Sequence, residues 1–349
     1  MRAYEEFRNL SMKKVKLDEI ALLAGVSRST VSLALRGSPL IARPTAERVR
    51  EAAKQLGYVY NRTAAALRNR RTHTIGLVEA NFKNPFFAAM SESVEREIEQ
   101  RGKALLFVDS AESIEKQRKA LKLMLEHGVD GILLCPVKHT TKEDLSILQH
   151  ADIPFVLFSR YIPGVDTNYV GGANVQGAYQ AVRRMIQLGH RRVAFVGGEP
   201  YTSSWMDRVE GFRRAMKEGG IELPTPWYFC SEVSVAGGAS KVDEVLQVQP
   251  MVTAALCYSD TVAFGFMLGL ERRGILPGRD FAVVGFDDLP ESKLWRPPLA
   301  TLACPPSRVG SVAIQILLER LEGDESSPRR VEIQSVLIER DSLCPVPAR

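Results

Sequence analysis

The chain has 349 residues, of which 45% are hydrophobic, and carries a formal net charge of +5. This length predicts two or three domains, and the apolar content suits a protein with sizeable cores. No apolar run reaches the roughly 18 residues that a membrane-spanning helix needs, so such a helix is excluded. The first residues, MRAYEEFRNLSMKK, hold no apolar segment of signal-peptide length. Export is therefore not expected, and a cytoplasmic location is predicted.

The positive charge is concentrated near the amino terminus. Residues 1–72 contain 15 Lys and Arg against 6 Asp and Glu, a net charge of +9, whereas the other 277 residues carry 31 against 35, a net charge of −4. A basic segment on a slightly acidic body is typical of a protein whose first part alone meets a polyanion.

Within the basic segment, residues 17–37 read LDEIALLAGVSRSTVSLALRG, which predicts two short helices joined by a tight turn. Gly25 stands where the first helix needs a positive φ to end, and Ser27 stands where the second helix needs an N-cap. An apolar seam at helical spacing is formed by Ile20, Ala21, Ala24, Val26, Val31 and Leu35. Such a pair is typical of a helix-turn-helix that enters the major groove of DNA, and an ordinary helical hairpin is the alternative.

Two further segments follow the helix pair. Pro44 suits the first turn of a third helix that ends at Gly57 and closes a small core over the other two. Residues 58–72, YVYNRTAAALRNRRT, hold only about two helical turns with little apolar surface. They are predicted to be a hinge that becomes helical only against a partner.

From His73 onward, short apolar runs alternate with amphipathic helical stretches. The runs predict buried strands at 75–78, 104–108, 131–135, 155–158, 193–196, 227–230, 254–257 and 281–284. The stretches predict helices at 91–100, 115–126, 176–188, 209–218, 239–246 and 261–272. Two successive sets of this kind predict two doubly wound lobes with a ligand site in the cleft at the carboxyl ends of their strands.

Cysteine and histidine usage predicts neither a metal site nor an active site. The five cysteines form no C-x-x-C pair and are expected to be reduced thiols, and the five histidines are dispersed. The chain contains no G-x-G-x-x-G after a strand, no phosphate-binding loop, no G-x-S-x-G and no H-E-x-x-H. The sequence therefore predicts that the protein is not an enzyme and uses no cofactor.

Seven motifs stand in the order found in one protein family. They are AGVSRSTVSLALRGSP, QLGY at 55–58, TIGLV at 74–78, NPFF at 84–87, GVDGILLCP at 128–136, LGHRRVAFVGG at 188–198 and VVGFDD at 283–288. From about Val15 to Leu343 the chain resembles the lac and purine repressor family of bacterial transcription regulators. The predicted fold is an all-α helix-turn-helix headpiece followed by a periplasmic-binding-protein-like α/β core of two doubly wound lobes.

The resemblance implies a headpiece over 15–58, a hinge over 59–72 and an effector-binding and dimerisation core over 73–349. The chain would cross between the lobes three times, with lobe 1 at about 73–170 and 300–331 and lobe 2 at about 171–299 and 332–349. Homodimers that bind pseudo-palindromic operators, under the control of a small-molecule effector, are implied as well.

The resemblance also carries over residues that bind DNA. They are Ser27, Arg28, Ser29, Thr30, Ser32 and Leu33 in the headpiece, with Asn61 and Leu67 in the hinge. Arg28 is expected to read guanine, and Thr30 and Ser32 to hold phosphates. Leu33 either contacts a thymine methyl group or packs. Leu67 is expected to wedge between base steps in the minor groove, and its alternative is a role limited to ending the linker.

The candidate effector-binding residues rest on the same resemblance. They are Phe86, Phe87, Thr202, Ser204, Arg208, Asp260 and Asp287. One arginine and two aspartates beside aromatic rings favour a sugar or sugar acid, with a nucleobase as the alternative. A repressor is the favoured function, and an activator of the same family stays open. A periplasmic sugar-transport protein shares the two-lobed fold, but it would have a signal peptide and no helix-turn-helix.

Overall fold

The computed structural model describes residues 15–58, 72–222, 227–248 and 251–346, and it divides into two compact units, Met1–Thr72 and His73–Arg349. Each unit is described by itself. Asn61 and Leu67, and with them the predicted hinge helix, lie outside the described residues.

The first unit contains three helices, α1 (Leu17–Ala24), α2 (Arg28–Leu35) and α3 (Arg43–Gln55). Gly25 ends α1 with φ 64°, and the Ser27 hydroxyl accepts a hydrogen bond from the Thr30 amide at 3.1 Å at the start of α2. Both capping predictions are therefore confirmed. The core of this unit is closed by side chains from all three helices: Ile20, Ala21, Val31, Ala34, Ala46, Val49, Ala52 and Ala53.

The second unit contains two lobes, each built on a six-stranded sheet. All strands of the lobe 1 sheet are parallel, in the order β11-β5-β4-β3-β1-β2. Their bounds are β1 (Thr74–Glu79), β2 (Ala104–Asp109), β3 (Gly131–Leu134), β4 (Phe155–Phe158), β5 (Tyr169–Gly172) and β11 (Arg330–Ile333).

The lobe 2 sheet has the order β12-β10-β9-β8-β6-β7 and is parallel except for its edge pair β10 and β12. Its strands are β6 (Val193–Val196), β7 (Tyr228–Phe229), β8 (Ala254–Cys257), β9 (Ala282–Phe286), β10 (Ala300–Ala303) and β12 (Val336–Ile338). Strands β6, β8 and β9 are buried along their whole length, as their unbroken apolar runs predict.

Nine helices are described in the second unit, besides a 3₁₀ turn at Pro290–Lys293. They are α4 (Pro85–Gln100), α5 (Ile114–Glu126), α6 (Lys142–His150), α7 (Asn174–Gln187), α8 (Ser203–Glu218), α9 (Val235–Ser240), α10 (Val242–Leu246), α11 (Asp260–Glu271) and α12 (Pro306–Leu321). None of the described helices is long and apolar enough to cross a membrane.

Two helices start earlier than the sequence pattern predicts. Helix α4 begins at Pro85 rather than 91, because the Asn84 side chain accepts from the Phe86 amide at 3.1 Å and proline suits a first helical turn. Helix α8 begins at Ser203 rather than 209. The added turns place Phe86, Phe87 and Arg208 on helices, at their amino-terminal ends.

The lobe 2 surface shows two further differences. The predicted helix at 239–246 is split into α9 and α10, which meet at Lys241. The predicted strand at 227–230 is reduced to the two residues of β7. In both places the apolar pattern is too short to fix element boundaries.

The expected lobe boundaries are shifted by a few residues. Residues 300–303 are expected in lobe 1, but as strand β10 they pair with β9 and β12 of lobe 2. Strands β5 and β11 pair with each other through Gly172 and Ile333, so lobe 1 extends two residues beyond both 170 and 331. The chain thus crosses between lobes at 172–174, 303–306 and 333–336. Backbone pairing sets these boundaries, and side-chain pattern does not reveal them.

The five cysteines are free thiols, and all but Cys230 are buried. Burial raises the pKa of Cys304 to about 11 and raises the pKa of Cys230 as well.

Candidate functional site

Helix α2 presents a short polar surface. Arg28 and Ser29 are exposed at its first turn, and Thr30 and Ser32 are half-buried beside them. The hydroxyl of Ser27 lies 2.7 Å from that of Ser29 and 2.8 Å from that of Thr30. Ser27 therefore acts first as the helix cap, and Arg28 and Ser29 are the side chains most open to a partner.

Leu33 lies on the same face of α2 but differs from its apolar neighbours. Val31 is fully buried and Leu35 packs against the headpiece core, which confirms both as core residues. Leu33 is half-buried, and among the described headpiece residues it is absent from the set that packs on this core. This placement favours a role for Leu33 at the surface over one in packing.

The charged side chain on this surface, that of Arg28, makes only a loose ion pair. The closest acidic partner of Arg28 is Asp18 on α1, at 3.7 Å, and both side chains are more than 60% exposed. An exposed pair at this distance is worth well under about 1 kcal/mol, so the guanidinium is available to another partner.

A narrow cavity of about 20 Å³ lies between the two lobes, at the carboxyl ends of their strands. This volume is far below the roughly 300–1,000 Å³ typical of small-molecule sites, so a ligand of that size requires the two lobes to move apart. Lobe 1 contributes Asn81, Asn84, Phe86, Phe87, Glu112, Ser159 and Arg160, and lobe 2 contributes Arg208, Val233, Tyr258 and Asp287. A cavity is thus present at the predicted cleft, and four of the seven predicted effector residues line it.

Arg208 is buried and held from several sides. Its Nε donates to Asn174 Oδ1 at 2.9 Å, and Nη1 donates to the carbonyl of Tyr258. The guanidinium carbon lies 3.6 Å from the centroid of the Phe286 ring and 4.5 Å from that of Tyr258. These contacts fix the plane of the guanidinium while Nη2 faces Asp287 at 3.9 Å.

Asp287 follows the last residue of β9 and is 6% exposed. Burial raises its pKa to about 8, because the charge of Arg208 only partly offsets the loss of solvent and Asp260 adds repulsion. Its φ of 115° is rare for a residue with a side chain. Backbone strain of this kind is concentrated at functional sites, where surrounding structure holds the residue in place.

Arg160 and Glu112 supply the charged groups of the lobe 1 wall. Both guanidinium ends of Arg160 donate to the Glu112 carboxylate at 2.8 Å, and Nη1 also contacts the Pro136 carbonyl at 3.4 Å. Burial alone would lower the pKa of Arg160, and the ion pair with Glu112 raises it above its usual range. Arg160 is 4% exposed, so this bidentate pair is a fixed part of the cavity.

Phe86 and Phe87 give the cavity its apolar surface. Their rings lie edge to face with centroids 5.6 Å apart, and Phe87 contacts the core ring of Phe158 at 6.4 Å. Each ring therefore serves the cavity lining and the lobe 1 core together, so the two alternatives of ligand contact and core packing are not exclusive.

The other three predicted effector residues lie outside the lining. The Asp260 carboxylate is fully buried and accepts from the Leu289 amide at 2.8 Å and from the hydroxyls of Ser292 and Thr301 at 2.6 and 2.5 Å. The Thr202 hydroxyl donates to the Glu199 carbonyl at 2.9 Å. These groups hold the loops behind the cavity rather than its surface.

Ser204 supports the lining indirectly, since its hydroxyl lies 2.8 Å from the Tyr258 hydroxyl. Trp205 likewise packs inside lobe 2, against Phe195 and Tyr228 with ring centroids 6.1 Å away in each case.

The sequence reasoning missed several lining residues. They are Asn81, Asn84, Glu112, Ser159, Arg160, Val233 and Tyr258. A signal for some was available, because Ser159 and Arg160 directly follow β4 and Tyr258 directly follows β8. Ligands of open α/β sheets bind at such carboxyl ends.

The headpiece has three helices and exposes the positive charge of Arg28 at the first turn of α2. The body has two lobes with a polar cavity between them. These features define the class of ligand-responsive DNA-binding regulators. The comparisons with known proteins agree. Residues 16–61 match the model of bacterial regulatory proteins of the lacI family, and residues 72–341 match that of periplasmic binding proteins and the sugar binding domain of the LacI family. The chain belongs to the LacI family of bacterial transcription regulators, and it is a DNA-binding regulator rather than an enzyme.

Similar proteins cover nearly the whole chain. The transcriptional repressor PurR of Vibrio vulnificus is 31% identical over 94% of this chain and 98% of that protein. The solved complex of the transcriptional regulator CelR with cellobiose is 29% identical, with a TM-score of 0.72 over 94% of this chain and 99% of that one. The lac repressor dimer bound to operator and the anti-inducer ONPF has a TM-score of 0.84 at 22% identity, over 95% and 100% of the two chains, and shows the shared fold.

Proposed function

We propose that the protein is a cytoplasmic repressor that binds a pseudo-palindromic operator as a homodimer and is controlled by a small uncharged sugar in the interlobe cavity. The observation that carries the effector proposal is the pairing of each cavity arginine with a carboxyl group. Arg160 is bidentate to Glu112 in lobe 1, and Arg208 faces Asp287 at 3.9 Å in lobe 2.

This pairing favours hydroxyl groups over anions. A hydroxyl group accepts from a guanidinium and donates to a carboxylate at the same time, and it can satisfy Asp287 in either protonation state. A carboxylate or phosphate ligand would have to compete with Glu112 for Arg160. An uncharged sugar is therefore favoured over the sugar acid. Phe86 and Phe87 would contact its apolar face.

In this proposal three of the predicted effector residues do not touch the effector but position the loops and side chains that line the cavity. They are Asp260, Thr202 and Ser204. Asp260 ties the loop after Asp287 to β10, and Ser204 holds Tyr258. Thr202 stabilises the turn that leads into α8, the helix of Arg208.

For DNA, we assign base reading to Arg28 and Ser29, the exposed residues of α2, and phosphate contacts to Thr30 and Ser32. Leu33 is assigned a thymine-methyl contact, and Ser27 holds the amino end of the helix. Asn61 and Leu67 are assigned to the minor groove, with Leu67 as the wedge.

A nucleobase corepressor is the second candidate, because the rings of Phe86 and Phe87 in the lining can stack on a planar base. One experiment separates the two. Full-length protein is titrated onto a fluorescent duplex from the DNA upstream of its own gene, with random duplex as control, across salt and with sugars, sugar acids and purines added. Preferential binding that an uncharged sugar alone shifts supports the proposal. A shift by purines alone selects the second candidate, and equal binding to both duplexes overturns operator recognition.

A further inference from the structure

In each lobe, one residue lines the cavity and its neighbour in the chain makes a hydrogen bond to the other lobe. In lobe 1, Arg160 lines the cavity and the next residue, Tyr161, reaches across to lobe 2. In lobe 2, Arg208 lines the cavity and the preceding residue, Asp207, reaches back to lobe 1. The cavity arginines are thus each one residue away from a direct bond between the lobes.

Tyr161 makes both of these interlobe bonds. Its backbone N–H donates to the Ser203 hydroxyl at 2.8 Å, and its phenol donates to Asp207 Oδ1 at 2.7 Å. Ser203 and Asp207 lie on the first turns of α8, the same helix that carries Arg208. These two hydrogen bonds are called the Tyr161 tether below.

The lobe 1 side of the tether is braced. The Arg330 guanidinium lies over the Tyr161 ring at 4.0 Å and over the Tyr169 ring at 4.8 Å, and the two rings meet edge to face at 5.3 Å. Asp207 is half-buried, and this burial raises its pKa although Tyr161 donates to it. The phenol is therefore held in one position with its donor aimed at lobe 2.

We infer that Tyr161 is a positioning residue that couples effector occupancy to the arrangement of the two lobes. A lobe movement that changes the separation of Arg160 and Arg208 must stretch or break the tether, because the tether residues are adjacent to both arginines in the chain. An effector that contacts both arginines then selects between tethered and untethered arrangements. This inference rests on the proposed function, since it takes the cavity as the effector site.

The lobes also meet elsewhere, which sets the size of the expected effect. Lys138 of lobe 1 lies 3.5 Å from Glu199 of lobe 2, and the His139 and Tyr201 rings stack at 6.1 Å. Loss of the phenol bond alone should therefore loosen the lobes without separating them. Because the lost hydrogen bond is made to a charged group, we expect hydrogen exchange at the tether to become about tenfold faster.

The test removes one hydrogen-bonding group of the tether at a time. Tyr161→Phe removes the phenol donor but keeps the ring under Arg330, and Asp207→Leu removes its acceptor. Asp207→Asn retains an acceptor oxygen, so this variant should behave nearly like the unaltered protein. A purely structural role of Asp207 would not require this difference between Asn and Leu. Tyr228→Phe is the matched control, because Tyr228 packs against Trp205 and Phe212 inside lobe 2.

Two measurements are made on each full-length variant without any effector. Hydrogen exchange of peptides spanning 159–163 and 201–208 reports the tether, and fluorescence anisotropy on the upstream duplex and a random duplex reports coupling. For Tyr161→Phe and Asp207→Leu we expect about tenfold faster exchange at both peptides and at least about threefold altered affinity for the upstream duplex alone.

Unchanged exchange would overturn the tether. Faster exchange with unchanged affinity for both duplexes would leave a contact but overturn the coupling. If the unaltered protein prefers neither duplex, operator recognition and the coupling both fail, and the exchange data still decide whether the tether exists.

Discussion

The guanidinium of Arg208 lies over the ring of Phe286, with its carbon 3.6 Å from the ring centroid. Phe286 is the last residue of β9, and the next residue, Asp287, faces the same guanidinium. One strand end therefore supplies both the surface that orients the arginine and the carboxyl group opposite it. A planar guanidinium can stack and donate hydrogen bonds at once, which a lysine ammonium cannot do.

Arg208→Lys is expected to abolish the response to effector while leaving the affinity for operator DNA without effector within about twofold. The loss of oriented donors should weaken effector binding by about 2–5 kcal/mol. The anisotropy titration described above measures both quantities. Arg214→Lys is the matched control, because Arg214 is on the same helix and lies 4.7 Å from the Tyr179 ring but outside the cavity. Equal effector responses in the two variants would contradict the role of Arg208.

Asp287 is expected to make the stability of the body depend on pH. Its pKa is about 8 in the folded chain and about 3.9 when unfolded, so between these values the folded state retains a proton that the unfolded state has lost. This group therefore lowers the free energy of unfolding as the pH rises through that window.

Asp287→Asn should remove this dependence, and asparagine also tolerates the positive φ at this position. In urea unfolding, the variant should gain on the unaltered protein by at least about 1 kcal/mol between about pH 5.5 and about pH 8. Asp260, whose pKa burial raises to about 7, is present in both proteins and largely cancels. Parallel stability profiles would show that Asp287 titrates normally.

A structural element could be predicted from the sequence where local residues determine it, and could not be predicted where distant strands determine it. The headpiece was predictable because Gly25, Ser27 and the apolar seam are local signals, and the alternating runs indicated two lobes. The lobe boundaries near 300 were not predictable, since β10 is assigned by its partners β9 and β12.

The candidate site was predictable only in part, for a related reason. Arg208 and Asp287 were found by resemblance, whereas the partners of Arg160 and Tyr161 lie 48 and 46 residues away in the chain. Asp260 shows the opposite error. It follows a strand end, as a ligand-binding residue should, yet its carboxylate is consumed by three internal donors.

Arg28→Ala is expected to weaken binding to the upstream duplex by about 1–3 kcal/mol and to leave random-duplex affinity nearly unchanged. The reason is that Arg28 is exposed at the first turn of α2 and its pair with Asp18 is loose. Arg43→Ala removes one positive charge from an arginine of α3 that is 90% exposed and paired with Glu47. Anisotropy across salt on both duplexes compares the two, and equal losses on both duplexes for Arg28→Ala would mean a phosphate contact instead of base reading.

Glu112→Gln is expected to destabilise the body and to change the ligand preference of the cavity. The substitution leaves the buried Arg160 guanidinium without its carboxylate, which typically costs about 3–5 kcal/mol for a buried pair. The partly exposed pair Glu97 and Arg101 offers the control, since Glu97→Gln should cost less than about 1 kcal/mol. Urea unfolding of the two variants compares these costs.

The same substitution tests the charge argument for the effector. With Glu112 neutralised, Arg160 has an uncompensated positive charge at the cavity wall, and a sugar acid should now bind better relative to the matching uncharged sugar. Calorimetric titration of each full-length protein with glucose and glucuronate, and with galactose and galacturonate, measures the ratio. A ratio that moves toward the acid in Glu112→Gln and stays fixed in Glu97→Gln supports an arginine–carboxylate pair that excludes anions. If the ratio is unchanged while stability falls as expected, the pair holds the lobe 1 wall together but does not select the charge of the effector.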